Sequence, residues 1–173
     1  MNKRSQYFSI TLFLLYVAIL CWILLWKLGV SFSYMSSRSY NLIPFQEAFT
    51  PSGKLDKMEL ILNVLIFIPF GVYTAMVLYR STLMSRLLFI AGSSFMFEAL
   101  QYTLRIGAFD STDIVTNTIG GLLGLLFYEL FCRLMGDRPK AQIWMNRLAA
   151  AGTFIFILLL ILLKLGKLPI RYQ

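Results

Sequence analysis

The sequence predicts an all-α integral membrane protein, a polytopic helical bundle of about five transmembrane helices joined by short loops. Hydrophobic residues make up 58% of the 173 residues and charged residues only 14%. Long apolar runs cover the chain, and its charges are confined between them. A bilayer core about 30 Å thick takes about 20 apolar residues in a helix, so the spans use most of the chain. We therefore expect one membrane domain over residues 1–173, multi-pass in the cell membrane, and no soluble catalytic domain.

Five apolar runs define the predicted spans, in chain order. The first has a basic N-terminal flank, as a signal peptide would, but no convincing small-residue cleavage site follows it. This favours a membrane anchor over a signal peptide. The second contains Pro69, which has no N–H to donate and should kink the helix. The third carries Glu98 and Gln101, and the fourth contains the small-residue pattern Gly120-x-x-x-Gly124. The fifth is almost purely aliphatic. The spans are residues 7–26, 60–79, 87–104, 114–131 and 148–163.

The longest connection, residues 27–59, separates the first two spans. Within it, the moderately apolar stretch 40–49 contains Asn41, Pro44 and Phe45, which do not suit a spanning helix. This pattern favours a short re-entrant or interfacial segment. The other connections are short, so consecutive helices should be antiparallel neighbours.

Charge composition predicts the orientation of the bundle and excludes some partners. The net charge of +8 comes from 16 Lys and Arg at helix ends and between spans, which indicates topology signals rather than nucleic-acid binding. An intracellular N-terminus puts half of these cations inside, so the count is a tie. Because the outer cations lie beside acidic residues and the inner loops are short and basic, we predict that the N-terminus is inside. The inner cations are then Lys3, Arg4, Arg80, Arg86, Arg133, Arg138, Lys140 and Arg147.

The side chains available for chemistry are restricted. The chain contains no His, which removes the commonest general base and zinc ligand. Its two cysteines, Cys21 and Cys132, lie within apolar runs near opposite membrane faces, so we expect both to be free. Any site must use carboxylates, amides, hydroxyls or Arg.

Polar residues at membrane depth converge at one end of the predicted bundle. Up-down topology brings together the start of the second span, the end of the third and the start of the fourth. Glu98, Gln101 and Arg105 are spaced to share one helical face. Asp113 and Asn117 are similarly spaced on the fourth helix. The candidate ligand-binding residues, including two that join if the first loop folds back, are Arg38, Asn41, Asn63, Glu98, Gln101, Arg105, Asp110, Asp113 and Asn117.

Each candidate also has a purely structural interpretation. A carboxylate as deep as that of Glu98 costs a few kcal/mol unless it is paired or hydrated, and marks a functional site by default. The alternative is a structural ion pair with Arg105 or Arg38 that only fixes helix register. Asp110 and Asp113 fit a helix N-cap and a first-turn acid. Asn63 and Asn117 fit interhelical hydrogen bonds, and the glycine pattern fits close helix packing.

Ordered motifs over most of the chain resemble the VanZ-like family. The resemblance is carried by Arg38-Ser-Tyr-Asn41-Leu-Ile-Pro44-Phe45, Asn63-Val-Leu-Ile-Phe-Ile-Pro69-Phe-Gly71, Phe97-Glu98-Ala-Leu-Gln101, Ile106-Gly-Ala-Phe-Asp110-Ser-Thr-Asp113 and Asn117-Thr-Ile-Gly120-Gly121. It implies a protein of the Gram-positive cell membrane that confers low-level resistance to the glycopeptide teicoplanin. Carried over residue by residue, the matching positions are Arg38, Asn41, Pro44, Asn63, Pro69, Gly71, Glu98, Gln101, Asp110, Asp113, Asn117 and Gly120, with Arg105 a weaker match.

The favoured hypothesis is a non-enzymatic envelope factor without a cofactor. Its polar cavity at the outer face would bind an amphipathic ligand, either a lipid headgroup or teicoplanin, which carries an acyl chain. Arg38 and Arg105 would bind phosphate or carboxylate, and the three acidic residues would accept from hydroxyl or amine donors. The alternative is an intramembrane enzyme that acts on a lipid-linked cell-wall precursor through the same carboxylates, with or without a divalent cation. A small transporter is a third possibility, disfavoured by the lack of an inverted repeat. The sequence assigns no catalytic or metal-binding residue.

Overall fold

Long helices form nearly all of the computed structural model, which describes residues 3–26, 40–45, 57–105 and 107–164. Five helices and two short strands occur in these ranges, and the predicted fold class is confirmed. The elements in chain order are α1 (Lys3–Trp26), β1 (Tyr40–Asn41), α2 (Lys57–Val77), α3 (Leu83–Thr103), β2 (Phe109–Asp110), α4 (Ser111–Met135) and α5 (Arg138–Lys164).

Four of the described helices are long and apolar enough to cross a membrane. The segments that meet this description are Lys3–Trp22, Leu60–Val77, Leu83–Thr103 and Ser111–Met135. The fifth predicted span, residues 148–163, lies within α5, which already begins at Arg138. That it crosses the membrane remains a prediction.

Helix α4 packs against α2 through a line of glycines. A Cβ added to Gly120 would overlap the carbonyl oxygen of Val64 and lie 2.9 Å from its carbonyl carbon. A Cβ added to Gly124 would overlap the carbonyl oxygen of Ile68 and lie 2.9 Å from the nitrogen of Val72. The helix backbones therefore touch, as small-residue motifs in membranes allow. The predicted packing role of Gly120-x-x-x-Gly124 is confirmed.

The remaining helices surround this pair. α3 packs against α4 and α2, and α1 lies against α2 and α5. Aromatic side chains fill the centre: Phe67 and Phe70 of α2 are 0% and 2% exposed, and their rings lie 5.3 Å apart. Phe97 of α3 meets the ring of Phe67 edge-on at 6.4 Å. This core fixes how α2, α3 and α4 are arranged around the polar residues at their shared end.

An ion-pair network closes the opposite end of the bundle. Buried Arg86, at the start of α3, lies 3.0 Å from one carboxylate oxygen of Glu129 on α4, whose other oxygen is 2.6 Å from Arg138 of α5. Arg86 also donates to the carbonyls of Leu78 and Tyr79, which follow α2. The ends of α2 and α4 and the starts of α3 and α5 thus meet, as up-down topology predicts.

Candidate functional site

The long first loop returns to the end of the bundle where α4 begins. Its strand β1 pairs in parallel with β2, with Tyr40 opposite Phe109 and Asn41 opposite Asp110. Beyond this pair, the backbone N–H of Phe45 donates to the hydroxyl of Thr112 at 2.9 Å. The condition set for Asn41 to join the polar cluster is therefore met. Arg38, the other candidate in this loop, lies outside the described residues.

Asp110 connects the returning loop to α4. It is the N-cap residue, and its Oδ1 accepts the N–H of Thr112 at 2.7 Å. The same oxygen accepts the side-chain amide of Asn41 at 3.3 Å. Asn41 is 4% exposed, and its side-chain oxygen Oδ1 accepts the backbone N–H of Ile43 at 3.2 Å. The capping interpretation of Asp110 is confirmed, and the cap also holds the loop.

Glu98 binds the short segment that leads into α4. It lies on the buried face of α3 with 3% exposure, one turn before the equally buried Gln101. Its Oε2 accepts the backbone N–H of Asp110 at 3.1 Å. A carboxylate that accepts a backbone N–H forms a charge-assisted hydrogen bond, which compensates part of the cost of burial. Glu98 therefore connects α3 to the residue that caps α4.

Arg105 does not share the helical face of Glu98 and Gln101, and this prediction was wrong. Helix α3 ends at Thr103 with Leu104 as its C-cap. Arg105 follows in the left-handed region, at a φ of 58°, so the helical spacing no longer applies to it. Its side chain is exposed and forms no ion pair with Glu98. A structural ion pair between Glu98 and Arg105 is therefore excluded, whereas the alternative pair with Arg38, which lies outside the described residues, stays a prediction.

Asp113 links α4 to α2, the two helices that pack together through glycines. It lies in the first turn of α4, where the helix dipole favours an acid. Its Oδ1 accepts the side-chain amide of Asn63 on α2 at 2.7 Å. Both residues are half-buried. The predicted interhelical hydrogen bond of Asn63 is confirmed, with a charged acceptor.

Asn117, one turn further into α4, bonds to the third helix. Its amide donates to the hydroxyl of Ser94 on α3 at 2.9 Å, and both residues are buried. The carbonyl oxygen of Asn117 is buried with no hydrogen-bond partner among the described residues. Sequence reasoning missed Ser94 and Thr112. Ser94 lies four residues before Glu98, so helical spacing was the signal that could have found it.

Comparisons of the sequence with known proteins show which family the chain belongs to. The family model described as VanZ/LLP1 matches residues 13–132. The chain belongs to the VanZ/LLP1 family. It is 36% identical to "Protein VanZ" of Enterococcus faecium over 161 residues, which are 91% of this chain and 91% of that protein. No solved structure matches the chain.

The VanZ/LLP1 match begins within α1, ends three residues before the end of α4 and includes all nine candidate residues. Of these, the structure brings together seven at one end of the bundle and places Arg105 at its exposed edge. Within the described part of the chain, no group of three or more acidic or Cys side chains is arranged to hold a metal ion. The candidate residues themselves offer hydrogen-bond acceptors and charge. The seven are Asn41, Asn63, Glu98, Gln101, Asp110, Asp113 and Asn117.

Proposed function

We propose that this protein acts in the cell membrane in resistance to teicoplanin, by binding an amphipathic ligand in the polar site at the outer face. The family membership supports the resistance role. The observation that carries the binding proposal is that three carboxylates lie at one end of the bundle, where one of them, Asp110, also holds the returning loop through Asn41. These carboxylates belong to Glu98, Asp110 and Asp113.

The geometry favours a ligand that donates hydrogen bonds. Both described contacts of the Asp110 carboxylate use Oδ1, which leaves Oδ2 available to a hydroxyl or ammonium donor. The carbonyl oxygen of the Asn117 side chain, which has no hydrogen-bond partner within the described ranges, is a second acceptor, two helical turns deeper. A buried acceptor without a partner costs about 1–3 kcal/mol, so a donor from a ligand or water stabilises it.

The same end of the bundle offers a cation for the anionic part of a ligand. Arg105 is exposed beside the site, and its guanidinium suits phosphate or carboxylate. Arg38, which lies outside the described residues, is proposed for the same role because it is close in sequence to buried Asn41. A ligand with both hydroxyl or amine groups and an acidic group fits this combination, as lipid headgroups and glycopeptides do.

Mass spectrometry of the lipids that remain with the purified protein tests this proposal. We expect stoichiometric ligand with a polar headgroup, and loss of that ligand in the double variant Glu98→Gln, Asp113→Asn. A retained undecaprenyl phosphate species would identify a cell-wall intermediate as the ligand class and revive the enzymatic alternative. If only ordinary phospholipid is retained and added teicoplanin displaces it, the ligand is the antibiotic. Equal ligand in the parent and the double variant would refute binding through these carboxylates.

A further inference from the structure

A cavity of about 490 Å³ lies among α1, α2, α4 and α5. Its walls are apolar side chains, together with the rings of Tyr16 and Tyr73 and the side chain of Thr153. The hydroxyl of Tyr16 donates to the carbonyl of Ile66, and the side chain of Thr153 lies near the hydroxyl of Tyr73, so these polar groups have polar neighbours inside the protein. The cavity therefore offers hydrocarbon contact rather than hydrogen bonds.

The cavity opens sideways, at the depth of the hydrocarbon. Its walls on α1, α2 and α4 lie inside three of the segments that can cross a membrane. Two of its lining residues, Phe127 and Leu148, are 53% and 57% exposed, and Gly152 and Pro69 are exposed as well. A groove that opens between spans at this depth faces acyl chains rather than water.

The size of the groove restricts its occupant. An apolar cavity of about 150 Å³ holds benzene, so about 490 Å³ takes roughly three times that carbon content, about 18 carbons. A helix at least about 10 Å across would fill the same volume with only about 6 Å of its length, roughly one turn. The groove thus fits one extended hydrocarbon chain and does not fit a helix of a partner protein.

We propose that this groove binds one acyl chain of a membrane phospholipid as a resident lipid. The bilayer presents phospholipid acyl chains at the mouth of the groove at high local concentration. Mass action therefore favours occupancy of the groove by phospholipid over occupancy by rarer lipids. The site is distinct from the polar cluster around Asp110 and Asp113 and does not depend on the function proposed above. A chain held there fills the space that α5 leaves beside the glycine-packed pair of α2 and α4.

Two glycines supply a matched pair of variants. A Cβ added to Gly152, which lines the groove, meets no atom of the described residues within 4 Å, and the same holds for Gly92 on α3. Gly152→Phe therefore places a ring in or at the groove without a clash against the backbone. Gly92→Phe adds the same ring to an exposed helix face elsewhere. Both variants should fold, since neither new side chain meets a packed neighbour at its Cβ.

The test uses full-length protein in vesicles of phosphatidylglycerol that contain a phosphatidylglycerol with a photoreactive diazirine in one acyl chain. After illumination, mass spectrometry maps the labelled residues. We expect labelling of residues 66–73 and 145–153 to exceed that of the exposed face of α3. In Gly152→Phe this labelling should fall about tenfold, because a ring and a chain cannot share one volume, and Gly92→Phe should label like the parent.

Several outcomes would overturn the proposal. Labelling spread evenly over all lipid-facing helices would indicate ordinary surrounding lipid. Unchanged labelling in Gly152→Phe would show that the chain lies outside the groove. Labelling by a photoreactive isoprenyl phosphate in preference to the phospholipid would assign the groove to another lipid class. A cross-linked dimer that Gly152→Phe abolishes would assign it to a second copy of the chain.

Discussion

Replacing Gly124 by Ala should destabilise the bundle, although Ala is the better helix former. The added Cβ would lie 2.9 Å from the nitrogen of Val72 and 3.0 Å from the Cα of Gly71, and would overlap the carbonyl oxygen of Ile68. All three atoms are backbone, so no side-chain rotation relieves the contact and α2 must move from α4. Overpacking of this kind costs about 1–3 kcal/mol. The higher helix propensity of Ala returns at most about 1 kcal/mol. We expect a net loss of about 1–2 kcal/mol.

The matched control is Gly92→Ala, whose Cβ meets nothing within 4 Å. This variant gains the propensity of Ala without the contact, so its stability should equal or exceed that of the parent. The measurement is the free energy of unfolding in mixed micelles for the parent and both variants. If Gly124→Ala were as stable as Gly92→Ala, the direct backbone contact between α2 and α4 would be refuted.

Two further predictions concern the capped end of α4 and the orientation of the bundle. Asp110→Ala should lower stability by about 1–2 kcal/mol, because it removes the cap on Thr112 and the contact with Asn41. Asp110→Asn keeps an acceptor and should melt close to the parent. Equal melting temperatures of the two variants would contradict the capping role. In a background without Cys21 and Cys132, single cysteines at residues 105–112 should be labelled from outside and one at Lys140 only after permeabilisation. Labelling of a cysteine at Ala108 only after permeabilisation would reverse the topology and exclude contact between the polar site and extracellular antibiotic.

Hydropathy and helical spacing predicted the fold because each span is an apolar run long enough to cross a bilayer. The convergence of Asn63, Glu98 and Asp113 also follows from the sequence, since up-down topology brings the relevant helix ends together. The close packing at Gly120 and Gly124 was predictable because few other sequence patterns allow helix backbones to touch. These features depend on local spacing and on short connections.

The sequence did not predict the parallel pairing of β1 with β2, which joins residues 69 positions apart. Two-residue strands leave no periodic pattern. The prediction for Arg105 failed because helical spacing was extended past Thr103, where the chain turns through a left-handed residue. Helix ends are the least certain part of such reasoning, since they depend on caps and loop contacts. The hydrogen bond from Asn117 to Ser94 depends on how α3 is oriented about its own axis relative to α4. Residue spacing within one helix does not determine that orientation.

We propose that the negative charges of the polar site support resistance. Asp113→Asn keeps an acceptor for Asn63 but weakens a charge-assisted bond, which should cost about 1 kcal/mol. Glu98→Gln likewise keeps the volume of the side chain and an acceptor for the N–H of Asp110. Both changes remove a negative charge with a limited effect on packing.

Asp137→Asn is the matched control. Asp137 lies at the opposite end of the bundle, accepts the N–H of Lys140 at 3.3 Å and pairs with its ammonium at 3.7 Å. Asn accepts the same N–H, so this variant removes one negative charge far from the polar site. It should leave both abundance and resistance unchanged.

The decisive measurement is the minimal inhibitory concentration of teicoplanin for cells that carry the parent, Asp113→Asn, Glu98→Gln or Asp137→Asn, with membrane abundance measured in parallel. We predict that Asp113→Asn and Glu98→Gln abolish resistance at near-parental abundance, while Asp137→Asn protects like the parent. Parallel loss of abundance and resistance would assign the carboxylates to structure alone. Full protection by both site variants at normal abundance would contradict the account.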